Sequence, residues 1–497
     1  MTTLLHTPEQ AAGWLRTRVT GSLSADSRKI REGDGFIAWP GAATDGRRYV
    51  RDVLAVGATA CLVEALEVDA FGFFDARIAA YQGLKAATAP IAARYFNAPS
   101  TQLEVIAVTG TNGKTSTVWW LAQALGRLGR KCGVVGTLGV GAPDALVPNG
   151  LTTPDPVLLQ QQLRCFVDQG FVACALEASS IGLAEHRLDA TQIRVAMFTN
   201  FTQDHLDYHG SMASYWAAKA ALFAWPGLRA AVINVDDAQG VALDAALVTS
   251  ALDIWTVSIQ GPARLQAQTI RQGMQTLSFE VVEGAERYPV MMSTVGLYNV
   301  SNLLGVVAAL RAVGISLQDA AAAVNGLPSV PGRLQTLASS GEPLVAIDYA
   351  HTPDALEKVL LALRSVANGR GGRLWCVFGC GGDRDTSKRP LMAAAAQKNA
   401  DQVVVTSDNP RHENPERIIS HILEGLVCGE SVHVQADRAL AIAQTLAVAQ
   451  PCDVVLLAGK GHEAYQDAGG VKHPFSDLQH AQAALDRRRV NGLRGAA

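Results

Sequence analysis

Apolar residues in this chain gather into short continuous runs, and each run tends to lead into a longer stretch with helical spacing. Such runs read as strands buried on both faces, the signature of a parallel sheet wrapped by helices. From position 103, LEVIAVT predicts a strand that enters a glycine-rich turn and then a helix over 114–129. FVACALE, RVAMFTN and AAVINV predict further strands, with a helix over SMASYWAAKAALF before the last. Strand–helix alternation implies βαβ units. Before residue 98 the chain mixes short strand candidates (GDGFIAW, ACLVEA) with a helix-like RRYVRDVLAVG and closes on a turn-rich NAPS. Between about 250 and 290 shorter alternating segments such as TLSFEVVEG predict an antiparallel patch, and an alanine-rich helical pair follows. Pro331 and Gly332 predict a boundary, after which the alternation restarts with PLVAIDYA, RLWCVFGC, DQVVVTS and CDVVLLAG, each leading toward a helix.

The expected fold is α/β in three domains. Residues 1–98 form a small α/β unit, 99–333 a central parallel-sheet unit with a phosphate loop, and 334–497 a Rossmann-like, doubly wound unit. Length agrees, since 497 residues exceed what one hydrophobic core supports. Hydrophobic residues at 48% and charged residues at 18% suit a globular chain rather than a disordered one. A net charge of −3 gives no basic surface for nucleic acid. The opening MTTLLHTPEQ lacks the pattern of a signal peptide, and no apolar run is long enough to span a bilayer. The eight cysteines are scattered without a CxxC pair, mostly in strand-like stretches, which predicts buried free thiols and a reducing, cytoplasmic setting.

TGTNGKTS, placed between a strand and a helix, carries the clearest chemistry. Gly110, Thr111, Asn112 and Gly113 let the backbone curl so that successive N–H groups face phosphate oxygens. Lys114 reaches the terminal phosphates, the Thr115 hydroxyl is a Mg²⁺ ligand, and Ser116 continues the loop into the helix. Val108 stands where the general phosphate-loop pattern has its first glycine. The loop predicts a nucleoside triphosphate site and leaves open a switch or transport ATPase. Glu177, at the end of FVACALE, is a carboxylate placed where a hard Mg²⁺ ligand is useful.

With its shifted glycine, TGTNGKTS resembles the Mur ligases and their relative folylpolyglutamate synthetase. The resemblance extends over nearly all of the chain. It implies that His205, within NFTQDHLDYH, binds a second Mg²⁺, and that Lys219, in YWAAKAALF, is carbamylated into a metal ligand. It implies an adenine contact from Asn302 in GLYNVSNLLGVVAAL, a phosphate contact from Arg333 after Pro331-Gly332, and ribose hydrogen bonds to Asp348 of DYAHTPD. SADSR, with Ser27, and DGRRY are similar to a uridine-binding region, although read alone they are turn-forming residues. Thr152, Thr153, Ser179 and Arg187 match positions that contact a muramoyl-peptide. One departure stands out: SSIGLAEHRL has Ile181 and Glu185 where relatives often have histidine and glutamine, and a glutamate there repels an anionic substrate unless protonated or turned aside.

The last third of the chain bears on the amino acid. Asp408-Asn409-Pro410-Arg411 resembles the DNPR motif of Mur ligases that add meso-diaminopimelate. Arg384 in GGDRDTSKRP is the second guanidinium matched to that substrate, and Gly459 and Glu463 of GKGHE match residues that hold its ammonium and backbone. An arginine fork grips the distal carboxylate that lysine lacks. The implied activity is an ATP- and Mg²⁺-dependent ligase joining UDP-N-acetylmuramoyl-L-alanyl-D-glutamate to meso-diaminopimelate through an acyl phosphate. Lys114, Lys219, His205 and Glu177 form the catalytic set. The expected partners are these small molecules alone, with the chain acting as a monomer. A folylpolyglutamate-synthetase-like ligase and a non-ligase ATPase are the alternatives.

Overall fold

The computed structural model describes residues 2–41, 44–427 and 429–495, with side chains through 489. Three main sheets divide the chain, of 5, 11 and 6 strands. The first is parallel throughout, in the order Thr3–Leu5, Ile78–Tyr81, Ala60–Glu64, Gly35–Ala38, Leu23–Ser24. GDGFIAW and ACLVEA thus form neighbouring strands, and RRYVRDVLAVG supplies the helix Val50–Val56. Asp45 caps the turn before that helix and pairs with Arg47 at 2.7 Å, so DGRRY has a structural task.

In the middle of the second sheet, Glu104–Thr109 lies between Ala173–Glu177 and Val195–Phe198, parallel to both. Its apolar run is continuous because both faces are covered: Ile106 and Val108 pack under one helical layer, Val105 and Ala107 under the other. The first layer includes Lys114–Arg127 and the alanine-rich helices Leu297–Ala312 and Leu317–Val324; Pro156–Asp168 contributes to the second. The expected antiparallel patch is Leu265–Gln272, Leu277–Glu283 and Glu286–Met292. At the opposite edge, Cys132–Gly136, Gly139–Ala142 and Ala145–Val147 form an antiparallel extension that the apolar pattern did not predict.

The third sheet is parallel in the order Leu344–Asp348, Val454–Ala458, Leu374–Phe378, Gln402–Val405, Val432–Val434, with Gln335–Leu337 antiparallel at one edge. The helix Pro353–Arg370 shows how locally its elements are encoded. The Thr352 hydroxyl accepts from the Ala355 N–H, Pro353 opens the first turn, and Gly371 closes it at φ 68°. DYAHTPD, GGDRD, DNPR and GKGHE all leave from the carboxyl ends of these parallel strands, where α/β sheets bind ligands.

Gly332 joins the second and third sheets at φ 66°, and the backbone of Gly461 and His462 occupies the space that a Cβ would need. That contact seats GKGHE against the junction. The cysteines at 61, 132, 165, 174, 376, 380 and 452 are free thiols, most of them buried, while Cys428 lies outside the described residues. No helix among the described residues is long and apolar enough to cross a membrane.

A fully buried ion pair holds the strand ends of the third sheet together. Arg438 meets Asp477 at 2.7 Å and also donates to the Ala458 and Ser407 carbonyls at 2.9 and 3.3 Å. Arg438→Met leaves Asp477 buried without its cation, which costs about 3–5 kcal/mol. Chemical denaturation should show that loss, and an unchanged midpoint would contradict it.

Candidate active site

The phosphate loop is shaped by glycine and braced by its neighbours. Gly110 has φ 142° and Gly113 φ 87°; a Cβ at the first would strike Thr199, and at the second the side chain of Asn302. The Thr199 hydroxyl donates to the Asn112 carbonyl at 2.6 Å, and the Asn112 N–H donates to Asn200 Oδ1 at 2.9 Å. Thr111 Oγ1 donates to the Thr202 carbonyl at 3.1 Å. Lys114 Nζ donates to the Gly110 and Thr111 carbonyls at 2.9 and 2.8 Å. Burial lowers the Lys114 ammonium pKa, against the pull of Glu177 and Asp204.

Glu177 is buried and saturated with donors. It accepts from the Thr115 hydroxyl at 3.1 Å, the Thr137 N–H at 2.8 Å and the Thr137 hydroxyl at 3.2 Å. Thr137 continues to Thr152 at 3.0 Å, and Arg333 Nη2 donates to Thr115 Oγ1 at 3.0 Å. Thr153 donates to the Glu177 carbonyl at 2.6 Å and meets Ser179 Oγ at 2.9 Å. Arg187 donates to the Thr153 carbonyl at 2.9 Å. Thr115 and Glu177 therefore form one continuous hydrogen-bonded wall with the residues matched to muramoyl-peptide.

Lys219 is buried. It is 1% exposed, donates to the Gly110 carbonyl at 2.7 Å, and lies 4.4 Å over the Tyr215 ring. Burial, with Lys114 nearby, holds its amine pKa well below the usual lysine value. The His205 ring lies 6.0 Å from the same tyrosine. Burial, reinforced by Lys114, Lys219 and Lys388, lowers the His205 imidazole to about 4 despite Asp204.

Asp204 is where the two larger sheets meet. His205 Nε2 is 3.4 Å from its carboxylate, and from the third sheet Lys388 Nζ and His351 Nε2 approach to 3.8 and 3.9 Å. Burial raises its pKa, but His205, Lys388 and His351, together with the His205 N–H, outweigh burial and hold it well below the usual carboxylate range. Close by, Gln203 Nε2 donates to Ser387 and Asp385 at 3.3 and 3.4 Å, and Asn112 Nδ2 donates to Asp354 at 3.1 Å. The loop bearing Arg384 is thus beside the phosphate loop.

The loops of the third sheet are stitched into one pocket wall. Gly382 N–H donates to the Asn409 carbonyl at 2.9 Å, and Arg411 Nη1 donates to the Gly382 carbonyl at 2.7 Å. Arg389, fully buried, reaches Glu413 at 2.8 Å and the Gly381 carbonyl at 3.3 Å, tying the GGDRD loop to the segment after Pro410. Lys460, equally buried, donates to Asn409 Oδ1 and Glu463 Oε2, both at 2.9 Å, and Asn409 Nδ2 donates to Glu463 at 2.8 Å. Gly459, at φ 114°, leaves room for Asp408 Oδ2, a buried oxygen with no hydrogen-bond partner.

Two family models match this chain: the Mur ligase middle domain over residues 108–310, and the Mur ligase glutamate ligase domain over 332–461. The chain is 60% identical over 491 residues to the UDP-N-acetylmuramoyl-L-alanyl-D-glutamate–2,6-diaminopimelate ligase of Acidovorax sp. strain JS42, covering 97% of this chain and 98% of that one. It belongs to the Mur ligase family. A solved structure of a UDP-N-acetylmuramoyl-L-alanyl-D-glutamate–2,6-diaminopimelate ligase aligns at TM-score 0.65 and 37% identity, over 94% of this chain and 95% of that one. A Mycobacterium tuberculosis folylpolyglutamate synthase shares the fold at TM-score 0.63 and 19% identity, over 76% of this chain and 92% of that one.

Within this Mur ligase, Lys114, Thr115, Glu177, Arg333, Thr152, Thr153, Ser179 and Arg187 meet around the phosphate loop, as do Asn302, Lys219 and His205. Asp348 lies at the end of its strand, where its oxygens accept the Leu334 and Ala350 N–H groups, both at 2.8 Å, and so hold the segment after Arg333. Ser27 lies in a short turn capped by Asp26, whose carboxylate pairs with Arg28 at 2.9 Å. Sequence reasoning gave no role to Thr137, Asp204, Lys388, Arg389, His462 or Lys460. Lys388 and Arg389 did leave a signal, because cations in a first helical turn oppose the helix dipole and need another partner.

His351 meets Tyr349 edge-on and His462 packs on it at a tilt, with ring centroids at 4.8 and 5.3 Å. Burial lowers both imidazoles from 6.5 to about 4, helped by Lys388 at His351 and by Arg333 at His462. The unfolded chain therefore binds protons that the folded chain refuses. Their contribution to stability is intact above about pH 6.5 and is lost progressively as pH falls toward 4. Tm measured between about pH 7.5 and 5 should fall, and His462→Gln should flatten that decline by about 2 °C or more. Parallel curves would contradict the assignment.

Proposed function

We propose that this chain uses ATP to join the D-glutamyl side-chain carboxylate of UDP-N-acetylmuramoyl-L-alanyl-D-glutamate to an amine of meso-diaminopimelate, in peptidoglycan precursor synthesis. The observation that carries the amino-acid choice is the placement of two guanidinium groups. Arg384 and Arg411 give hydrogen bonds to carbonyl oxygens, of Asp383 at 3.0 Å and Gly382 at 2.7 Å, and the loop that bears Arg384 abuts the phosphate loop through Gln203. A dibasic grip beside an acyl-activating cleft suits an amine that carries a second carboxylate. Glu463, oriented by Lys460 and Asn409, offers a carboxylate to the substrate ammonium, with Asp408 Oδ2 facing the same loop.

The donor set fits ATP with Mg²⁺. The glycine-shaped loop offers N–H groups to phosphate, and Thr115 with Glu177 offers hard oxygen ligands. Among the described residues no three His, Cys, Asp or Glu side chains form a closed metal cage. The Thr115 and Glu177 oxygens beside the phosphate cradle suit Mg²⁺, which binds through one or two carboxylates together with phosphates and water. Thr115, Glu177, His205 and Lys219 would hold it, and bound there it supplies charge neutralisation at the phosphates. Lys219, buried and low in pKa, is suited to capture carbon dioxide as a carbamate: its nitrogen bonds the carbon and releases a proton, giving an anionic end.

Catalysis then rests on positioning. The glutamyl carboxylate, lined up along Thr152, Thr153, Ser179 and Arg187, attacks the γ-phosphorus; the bond to ADP breaks and an acyl phosphate forms. Lys114 and Arg333 offset the charge that shifts toward the leaving ADP. The diaminopimelate amine, held from the third sheet, attacks the carbonyl carbon; the C–O bond to phosphate breaks and the amine loses a proton. Residues 1–98 take the uridine end, 99–333 the ATP, and 334–497 the amino acid.

A coupled assay of ADP release, run with diaminopimelate, lysine and glutamate side by side, tests the reading. Turnover should require both the UDP-sugar dipeptide and diaminopimelate. Release independent of either identifies a plain ATPase, and a preference for glutamate identifies a folylpolyglutamate-like ligase. Arg411→Ala should raise KM for diaminopimelate about 10- to 100-fold with KM for ATP changed less than about threefold. Equal loss for both substrates would remove Arg411 from the amino-acid pocket.

A further inference from the structure

Glu185 sits on the short segment that carries Ser179 and Arg187, beside the path of a substrate bearing carboxylates and a diphosphate. An uncompensated glutamate there opposes binding. We propose that Lys85, from the N-terminal helix Leu84–Tyr95, is the charge-compensating residue that lets this Mur ligase carry a glutamate in its sugar-peptide channel. The inference rests on the reading given under Proposed function.

The contacts are specific. Glu185 follows the helix Ser180–Ala184 as its cap, its N–H donating back to the Ile181 carbonyl. Its Oε2 lies 2.7 Å from Lys85 Nζ, and its Oε1 accepts the Tyr208 hydroxyl. One oxygen is therefore held by the first sheet's body and the other by the segment that follows His205. Burial raises the Glu185 carboxyl, but Lys85 and Tyr208 outweigh it and keep the pKa lowered, with Arg187 adding to the pull. Burial raises the carboxyl of Asp155, which caps the helix Pro156–Asp168, against a small pull from Lys29 and Arg187.

The pair is not a stabilising strut. Its side chains are 45% and 27% exposed, and an exposed pair contributes little to folding. What it changes is the charge that the donor substrate meets. With Lys85 in place the pair is neutral and Arg187 is left as a net cation; without Lys85 the glutamate cancels Arg187.

The test is steady-state kinetics on the full chain with wild type, Lys85→Met and the double variant Lys85→Met/Glu185→Gln. Lys85→Met should raise KM for UDP-N-acetylmuramoyl-L-alanyl-D-glutamate about tenfold and leave KM for ATP and for diaminopimelate within about twofold. Adding Glu185→Gln should return KM for the sugar-peptide to within about threefold of wild type, because the neutral amide needs no partner. An unchanged KM in Lys85→Met overturns the proposal, and so does a loss that persists in the double variant, which would make Lys85 a mechanical tie between the sheets. Wild-type turnover is measured first, so failure of the ligase reading registers there and not in the variants.

Discussion

Asp204 is a carboxylate removed from water between two bodies of the protein, and removing an ion from water costs several kcal/mol unless partners repay it. Here the partners come from both sides: the His205 N–H from its own segment, the Lys388 cation and the His351 ring from the third sheet. The arrangement is stable only when the third sheet is docked. The same docking sets Arg333 on Thr115 and Asp354 on Asn112. Nucleotide-binding geometry and closure of the cleft are therefore one electrostatic problem with one solution.

The second and third sheets divide the labour along that seam. The second sheet supplies a rigid anion cradle, because each phosphate-loop carbonyl that could face phosphate is tied to Thr199, Asn200 or Lys114. The third sheet supplies selectivity through loops that leave parallel strands at their carboxyl ends. Fully buried Arg389, Arg438 and Lys460 hold those loops from behind. Pocket residues on loops keep their geometry when groups beneath them are locked by several hydrogen bonds.

Much of the fold was legible because its strands are covered on both faces, which forces continuous apolar runs such as VIAVT and VVLLA. The extension at Cys132–Ala142 was not legible: glycines at 133, 136, 139 and 141 dilute its apolar signal, and its pairing depends on turn geometry. Within the site, residues in dense local motifs were readable, as with Lys114 in its loop and Arg411 after Asn409-Pro410. Residues whose role comes from a partner far along the chain were not. Asp204 stands next to His205, yet its importance depends on Lys388; Lys219 was reached through its motif, while its burial against the Gly110 carbonyl could not be read from its helix. Asp348 was found by motif, but its hold on the Leu334 N–H was not legible, because that group becomes a neighbour only on folding.

Cys380 stands between Gly379 and Gly381 at the root of the loop that carries Arg384, with its sulfur 3.7 Å from that of Met392. Burial pushes its thiol up to about 12, so little thiolate exists at neutral pH. An alkylating reagent can reach this sulfur only when the loop lifts from the helix Lys388–Asn399 beneath it. The protein thus carries a built-in clock for that loop: the speed at which Cys380 is labelled reports how often the amino-acid pocket comes apart, and any ligand that clamps the pocket slows the clock.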